Sequence, residues 1–499
     1  MSPAQSRELP GSTDVLIVGG GPTGLALSLA LSRLGVDHVV VEQQPGPAPN
    51  SRAAAIHART LESLAGLGVS DELVSRGRPG RAFAARDGDT VLLQTPFDEL
   101  DSPYPFVLAI PQETTEQVLD KALTERDGPL FRGWSVLDVK QQYPGAVAVL
   151  SDQDTGLLRA IRARYVVGCD GLHSVVRQGA GIDFVGHERP HNFALIEFVM
   201  EWDGPEGEIS FFFSPAGLAA ISHLPGDLYR MVALVDDDTP EPDLAEVQRM
   251  LDARGPAAAG ARVSSLEMVS IWRVRHRLAE TFGRGPFFLV GDAAHVHSPV
   301  GAQGMNTGIQ DAINLAWKLA AVLNGSASRE LLDTYDSERR PMAQGLLAFT
   351  GQLHDVSTMS DPDGIALRNS MLSVLGKLPE FSGWLARRLA QLAITYGGSG
   401  GRHPGVGDRM PPRPGMSQDF GWSLVVPPAA DTVDLRAAVA GGPIPVALAV
   451  EPDLTHAALV RPDGHIALIA EPWQAAELPA RLPRWLAAGG RAEVDATRN

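Results

Sequence analysis

Cysteine is the scarcest chemical resource in this chain: one thiol, Cys169, in 499 residues. A lone thiol rules out an intrachain disulfide and a cysteine-built zinc cage. It fits a reducing cytoplasm, the expected location, although a disulfide-free secreted chain has the same composition. Long apolar runs are missing too. The longest, Leu25 to Leu34, is interrupted by Ser28, Ser32 and Arg33, far short of the ~20 apolar residues that span a bilayer. Met1 to Thr13 are polar, contain two prolines and lack the basic-then-apolar order of a signal segment. A soluble protein with no membrane partner is expected. Basic charge is also in deficit, with 42 lysines and arginines against 59 acidic residues and a net charge of −17. Such a field repels phosphate backbones, so nucleic acid is not an expected partner. It constrains a small ligand little, because a local pocket can oppose the global sign.

A chain of this length exceeds what one core usually holds, and two or three domains are expected. Asp14 to Val18 reads as a short, fully buried strand. It runs into a glycine turn, Gly19 to Gly24, then a helical stretch from Leu25 to Leu34 with Gly35 as its stop. His38 to Glu42 reads as a second buried strand. Strand, glycine turn, helix and strand form a right-handed βαβ unit, the core of a doubly wound α/β sheet.

Further along the texture changes. Ala194–Trp202, Ile209–Phe213, Leu218–His223 and Leu228–Val235 read as short strands between Gly, Pro and Asp turns, which predicts an antiparallel sheet. A helix is expected near Leu244–Ala253. Phe287–Val290 reads as another buried strand, Gly308–Leu323 as a helix, and helical pattern continues to about Tyr396. The glycine-rich stretch 397–401 and the proline-rich stretch 410–414 mark a boundary. Beyond it, Pro445–Val450, Ala457–Arg461 and His465–Ala470 read as strands. A helix near Trp473–Leu486 should be kinked or split by Pro479 and Pro483. The expected units are 1–184, 185–275, 276–400 and 404–499.

Gly19, Gly21 and Gly24 spell GxGxxG between strand and helix. The first permits a tight turn, the second lets a pyrophosphate approach the backbone, and the third allows close helix–strand packing. Glu42 closes the second strand eighteen residues after Gly24, where a carboxylate can accept hydrogen bonds from a ribose. In this context the motif indicates dinucleotide binding, with NAD and FAD undecided by the unit itself.

Two later segments carry a resemblance. Cys169-Asp170-Gly171, extended by Ser174 and Arg177, and the stretch from Gly291-Asp292 through His295 to Asn306 resemble the "DG" and "GD" motifs of class A flavoprotein monooxygenases. With the glycine turn they occur in the family's order over about residues 12–400. The chain resembles the para-hydroxybenzoate hydroxylase family, in particular its polyketide and phenol hydroxylase branch. The resemblance implies a Rossmann-type FAD-binding domain, an antiparallel substrate sheet and a thioredoxin-like C-terminal domain. That last domain would lack dithiol chemistry here, since it contains no cysteine.

The resemblance also assigns residues. Gly291 and Asp292 fall on the turn and ribityl contact of FAD. The loop from Pro299 to Asn306 lines the isoalloxazine ring, with the Met305 and Asn306 amides near its pyrimidine edge and Gly304 within it. Asp170 helps hold FAD and is associated with nicotinamide use. Arg52 and Gln112 match ribose–pyrophosphate contacts, and backbone near Val136 matches an adenine contact. Two departures stand out: Gly301-Ala302 replaces a frequent glycine pair, and Thr115 replaces an apolar residue.

The implied activity consumes NADPH or NADH and molecular oxygen and hydroxylates an aromatic or polyketide substrate through a flavin hydroperoxide. A substrate-activating base is not identifiable, and subunit number is open, a homodimer included. Baeyer–Villiger insertion uses the same motifs. A ligand-sequestering flavoprotein and a plain NAD dehydrogenase are the rivals from other classes. Blander readings apply to single residues. Cys169 reads as a small buried residue, His295 and His297 as part of the flavin motif rather than a metal pair, and Arg52 without the resemblance as a surface arginine. Of Phe211, Phe212 and Phe213, one alternating face should be core.

Overall fold

The computed structural model describes residues 8–47, 53–236, 239–255, 260–299, 301–359, 361–397, 404–430 and 432–490, with backbone alone at 189–191. Strand Ser12–Val18 lies at the centre of the first sheet, parallel to Leu158–Gly168 on one side and His38–Glu42 on the other. Leu130–Arg132 extends the sheet past His38–Glu42, and Phe287–Leu289 extends it past Leu158–Gly168, both in parallel. Parallel strands are covered on both faces and read as unbroken apolar runs. Val15, Leu16 and Ile17 are accordingly fully buried. Helix Pro22–Arg33 follows the glycine turn, with Pro22 in its first turn where its missing N–H costs nothing. An antiparallel hairpin, Trp134–Gln142 with Gly145–Asp152, attaches to the long strand Leu158–Gly168.

The second sheet runs in the order His295–Val296, Arg262–Ala279, Phe184–Glu201, Leu228–Val235, Gly217–His223, Glu208–Ser214, Ala82–Asp87, Thr90–Pro96. The strands expected between 194 and 235 are all present, the first as part of an 18-residue strand. The sheet is not confined to 185–275. It takes Ala82–Asp87 and Thr90–Pro96 from far upstream, and Ala82–Asp87 pairs parallel to Glu208–Ser214 within an otherwise antiparallel described set. The expected helix lies across this sheet as Leu244–Arg254, capped by the Asp243 carboxylate on the Glu246 amide.

The helical region divides into Gly304–Leu323, Asp333–Ser357, Pro362–Leu375 and Pro379–Leu389. The first begins four residues before the Gly308 start expected from periodicity. The C-terminal unit has strand order Val446–Val450, Trp422–Val426, Ala457–Val460, Ile466–Ala470; the first pair is parallel and the others antiparallel. The final helical segment is split as expected, into a 3₁₀ stretch Pro472–Glu477 and helix Leu478–Ala487.

This unit shares a core with the Gly304 helix. Trp317 meets Trp422 edge-on at 5.6 Å and stacks on Trp485 at 6.4 Å. Asp463 accepts from Asn314 Nδ2 at 3.0 Å, while Arg461 pairs with Glu338 at 2.7 Å. Among the described residues no helix is long and apolar enough to cross a membrane.

Candidate active site

The glycine turn separates what the protein needs from what a ligand would need. Gly19 has φ +105°, and a Cβ there would lie 2.3 Å from the Cys169 carbonyl oxygen. A Cβ on Gly24 would lie 1.9 Å from the Gly19 oxygen. Both glycines are demanded by the close approach of helix and strand. Gly21 is different: a Cβ there meets nothing within 4 Å, and the residue lines the large cavity. No side chain caps the helix at Gly21, so its first amides remain donors for an anion. Glu42 braces the turn, Oε2 accepting from the Gly20 amide at 2.6 Å and Oε1 from Gln44 at 2.7 Å. Each oxygen keeps a second lone pair for a ribose hydroxyl.

The other two motifs are tied together from below. Asp170 Oδ2 accepts from the Val175 and Val176 amides at 2.8 and 3.2 Å. Its Oδ1 is buried without a hydrogen-bond partner among the described residues, and burial raises the carboxyl pKa. Arg177 donates to Leu172 O at 2.8 Å and Ala293 O at 2.9 Å. It thereby fastens the Cys169–Gly171 turn to the Gly291–Ala293 turn, leaving Asp292 exposed on the cavity wall.

The loop before the Gly304 helix is held by Asn306. Its Nδ2 donates to Ala302 O and Ala55 O, both at 2.9 Å, and its Oδ1 accepts from the His57 amide at 2.8 Å. No side chain caps this helix either, so the Gly304, Met305 and Asn306 amides lack intrahelical acceptors. Gly301 has φ +87° and Ala302 φ +52°. The alanine is therefore held in the left-handed region, at a cost of about 1 kcal/mol. Ala302→Gly is expected to be neutral or stabilising by up to ~1 kcal/mol, and Ala302→Val to be destabilising. Urea titration of the three proteins checks the order.

These motifs form one end of a cavity of about 810 Å³. Phe83, Phe211, Phe213, Trp272, Phe381 and Trp384 give much of it an aromatic wall. Phe212 turns away and packs with Trp202 in the core behind the sheet, as strand alternation requires. Arg230 also lines the cavity, and its Nε donates to Glu197 at 2.9 Å. His297 Nδ1 donates to the Ser298 carbonyl at 2.8 Å, which makes Nε2 the acceptor; that atom is buried without a partner among the described residues. His295 is engaged by Asp311 at 2.8 Å, and no metal-binding cluster occurs among the described residues.

Burial pushes His57, His297 and His465 each down to about 4. In the unfolded chain these rings titrate near 6.5. The unfolded state then takes up protons the folded state refuses, so stability present above about pH 6.5 is lost as pH falls toward 4. The thermal midpoint is expected to fall between pH 7 and pH 5, and a flat profile over that window would contradict the burial of these rings.

Of the sequence-derived candidates, Gly21, Gln112, Asp292, Pro299, Gly304 and Met305 line the cavity. Gly19, Gly24, Glu42, Asp170, Gly291 and Asn306 support it from behind through the contacts above. Val136 is a buried strand residue opposite Leu150 and is not among the cavity walls. Arg52 lies outside the described residues. Sequence reading missed His57, Trp272, Phe381 and Trp384, which no motif marks, and it covered Gln303 only as part of the Pro299–Asn306 loop.

A sequence model of the FAD binding domain family matches residues 12–350. The chain belongs to this FAD-binding family. The flavoprotein is 33% identical over 498 residues to the rifampicin monooxygenase of Streptomyces venezuelae, covering 95% of this chain and 99% of the relative. It is 34% identical over 420 residues to the 12-dehydrotetracycline 5-monooxygenase/anhydrotetracycline 6-monooxygenase of Streptomyces rimosus, covering 81% of each chain. The anhydrotetracycline hydroxylase structure from Streptomyces rimosus superposes with a TM-score of 0.76 at 31% identity, covering 94% and 99% of the two chains. The flavoprotein is an FAD-dependent monooxygenase. Its residues suit the cofactor: uncapped helix starts at Gly21 and Gln303, an unencumbered Gly21, and Glu42 fixed at the end of its strand.

Proposed function

We propose that the protein hydroxylates an aromatic, polyketide-like substrate, using NADPH or NADH and molecular oxygen. The observation that carries this reading is the continuity of the cavity: the flavin loop closes one end and an aromatic wall from the second sheet and the Pro379–Leu389 helix forms much of the rest. Fused-ring substrates, such as those in the relatives' names, match such a surface.

Bound FAD supplies electron transfer from the nicotinamide and activation of oxygen. The chain's own contribution is placement. The Gly304, Met305 and Asn306 amides would face the pyrimidine edge and favour the negative charge of a reduced ring. Gly21 and the start of its helix would take the pyrophosphate, Glu42 a ribose, Asp292 the ribityl chain and Gln112 the ribose–pyrophosphate region. Apolar walls keep water from the reacting carbon. The mixed strand order of residues 422–470 supports a thioredoxin-like tail, which without cysteine acts as an interface.

Purified yellow protein should consume NAD(P)H faster when given suitable phenols or aromatic polyketides, and product NMR should show a new hydroxyl on a ring carbon. Ring-inserted oxygen would replace hydroxylation by a Baeyer–Villiger outcome. Bound flavin with no ligand-stimulated oxidation across the panel would favour a sequestering role.

A further inference from the structure

The helix that contributes Phe381, Trp384, Leu385 and Leu389 to the cavity ends in a motif where glycine is the usual residue. The Leu392 amide bonds to Arg387 O at 2.9 Å and the Gln391 amide to Arg388 O at 3.2 Å, the paired bonds of a Schellman ending. Gln391 occupies the left-handed position, with φ +59°. A long side chain there costs about 1 kcal/mol, and such an outlier persists only where its surroundings enforce it.

The side chain does what glycine could not. Gln391 Nε2 donates to Gln303 Oε1 and, at 3.1 Å, to Thr307 Oγ1. Its Oε1 accepts from Gln310 Nε2 at 2.5 Å, and Gln310 also donates to Thr60 at 3.1 Å. Gln303 Nε2 completes the circuit on Leu389 O at 3.1 Å. Gln303, Thr307, Gln310 and Gln391 are all buried, so each amide left unpartnered would carry a desolvation penalty. Gln303 is the residue immediately before the Gly304 helix and itself lines the cavity.

We propose that Gln391 is a positioning residue that fixes the flavin loop through Gln303, mechanically coupling that loop to the wall that contacts an aromatic ligand. Filling the cavity against Phe381 and Trp384 moves or stiffens the helix, and the buried amide circuit passes this to the start of the Gly304 helix. The coupling to ligand rests on the hydroxylase reading above; the positioning of the loop does not.

Gln391→Gly keeps the left-handed backbone without steric cost but leaves Gln303 Oε1 without its donor and Gln310 without one acceptor, so the protein should fold with a modestly lowered thermal midpoint. Gln391→Asn, whose residue type also tolerates this conformation, provides a second variant if the first is recovered poorly. Hydrogen exchange at the amides of residues 307–310, the first in this helix with acceptors, is expected to quicken by about tenfold or more, and by more than at residues 315–319 of the same helix, in the FAD-free and FAD-loaded proteins. Bound-FAD fluorescence should rise, and any acceleration of NADPH oxidation by an aromatic polyketide should shrink. Parental exchange and parental fluorescence in a stable variant would overturn the proposal. If the unsubstituted enzyme responds to no aromatic compound, the hydroxylase reading fails, while the exchange result still decides the role of Gln391.

Discussion

Gly21→Val is expected to yield a chain that folds normally yet binds FAD at least ~100-fold more weakly, a loss of about 2.7 kcal/mol. The valine side chain enters space that no protein atom occupies within 4 Å of the added Cβ, so the fold has nothing to lose there. Its φ of −73° and ψ of −176° suit a β-branched residue. A pyrophosphate drawn to the helix start would collide with it. Gly24→Val should behave in the opposite order. Its Cβ would fall 1.9 Å from the Gly19 oxygen, forcing helix and strand apart and costing about 3 kcal/mol or more before any cofactor is added. Urea unfolding of the FAD-free proteins measures the first quantity and FAD titration the second. Normal FAD affinity in Gly21→Val would remove the pyrophosphate from this turn.

Arg339→Met is expected to destabilise the protein by about 3–5 kcal/mol, the range for leaving one member of a buried ion pair uncompensated. Asp311 is fully buried and accepts from Arg339 Nε at 2.6 Å, from His295 at 2.8 Å and from the Gly291 amide at 3.3 Å. Arg339 also reaches Tyr396 at 2.9 Å and Thr307 O at 3.2 Å. Burial works against ionisation of Asp311, but Arg339 and His295 overcome it and hold the carboxyl below its ordinary range. A depressed carboxyl pKa stabilises the fold above the unfolded value near 4, and that contribution is lost as pH falls through the folded value. Without Arg339, burial dominates and Asp311 should take up a proton at higher pH, so acid unfolding should begin earlier. Urea titrations at several pH values test both effects. Adding Asp311→Leu should recover part of the loss, since it removes the stranded charge. FAD affinity should fall with Arg339→Met, because Arg339 braces the start of the Gly304 helix at Thr307 O and, through Asp311, the Gly291 turn, both beside the proposed flavin site.

The nucleotide-binding half was largely legible because its signals are local. His38–Glu42 and Leu228–Val235 fall at the boundaries read from β-branched runs and turn residues, and the glycine spacing located a turn whose geometry demands Gly19 and Gly24. Long-range pairing was not legible. Ala82–Asp87 and Thr90–Pro96 flank a Gly88 turn with φ +54°, a hairpin signal that could have been read. Their parallel attachment to Glu208–Ser214, more than a hundred residues away, has no local signature. The same limit applies to the site. Glycines and Asp292 announce themselves by motif, whereas His57, Gln303 and Gln391 matter through contacts made only after distant helices dock. Ala302 was readable as a departure, but an alanine held in the left-handed region leaves no local mark in the chain.

The tryptophan trio that joins the tail to the Gly304 helix has a practical consequence for enzyme engineering. Trp317 stands on the same helix whose first turn lines the proposed flavin site, so grafting a tail from a relative transplants half of a packed seam. A working chimera would need Trp422, Trp485 and the Asp463 acceptor to travel with matching partners. Mismatched grafts should betray themselves by shedding cofactor on warming, even though every exchanged residue lies outside the catalytic chamber.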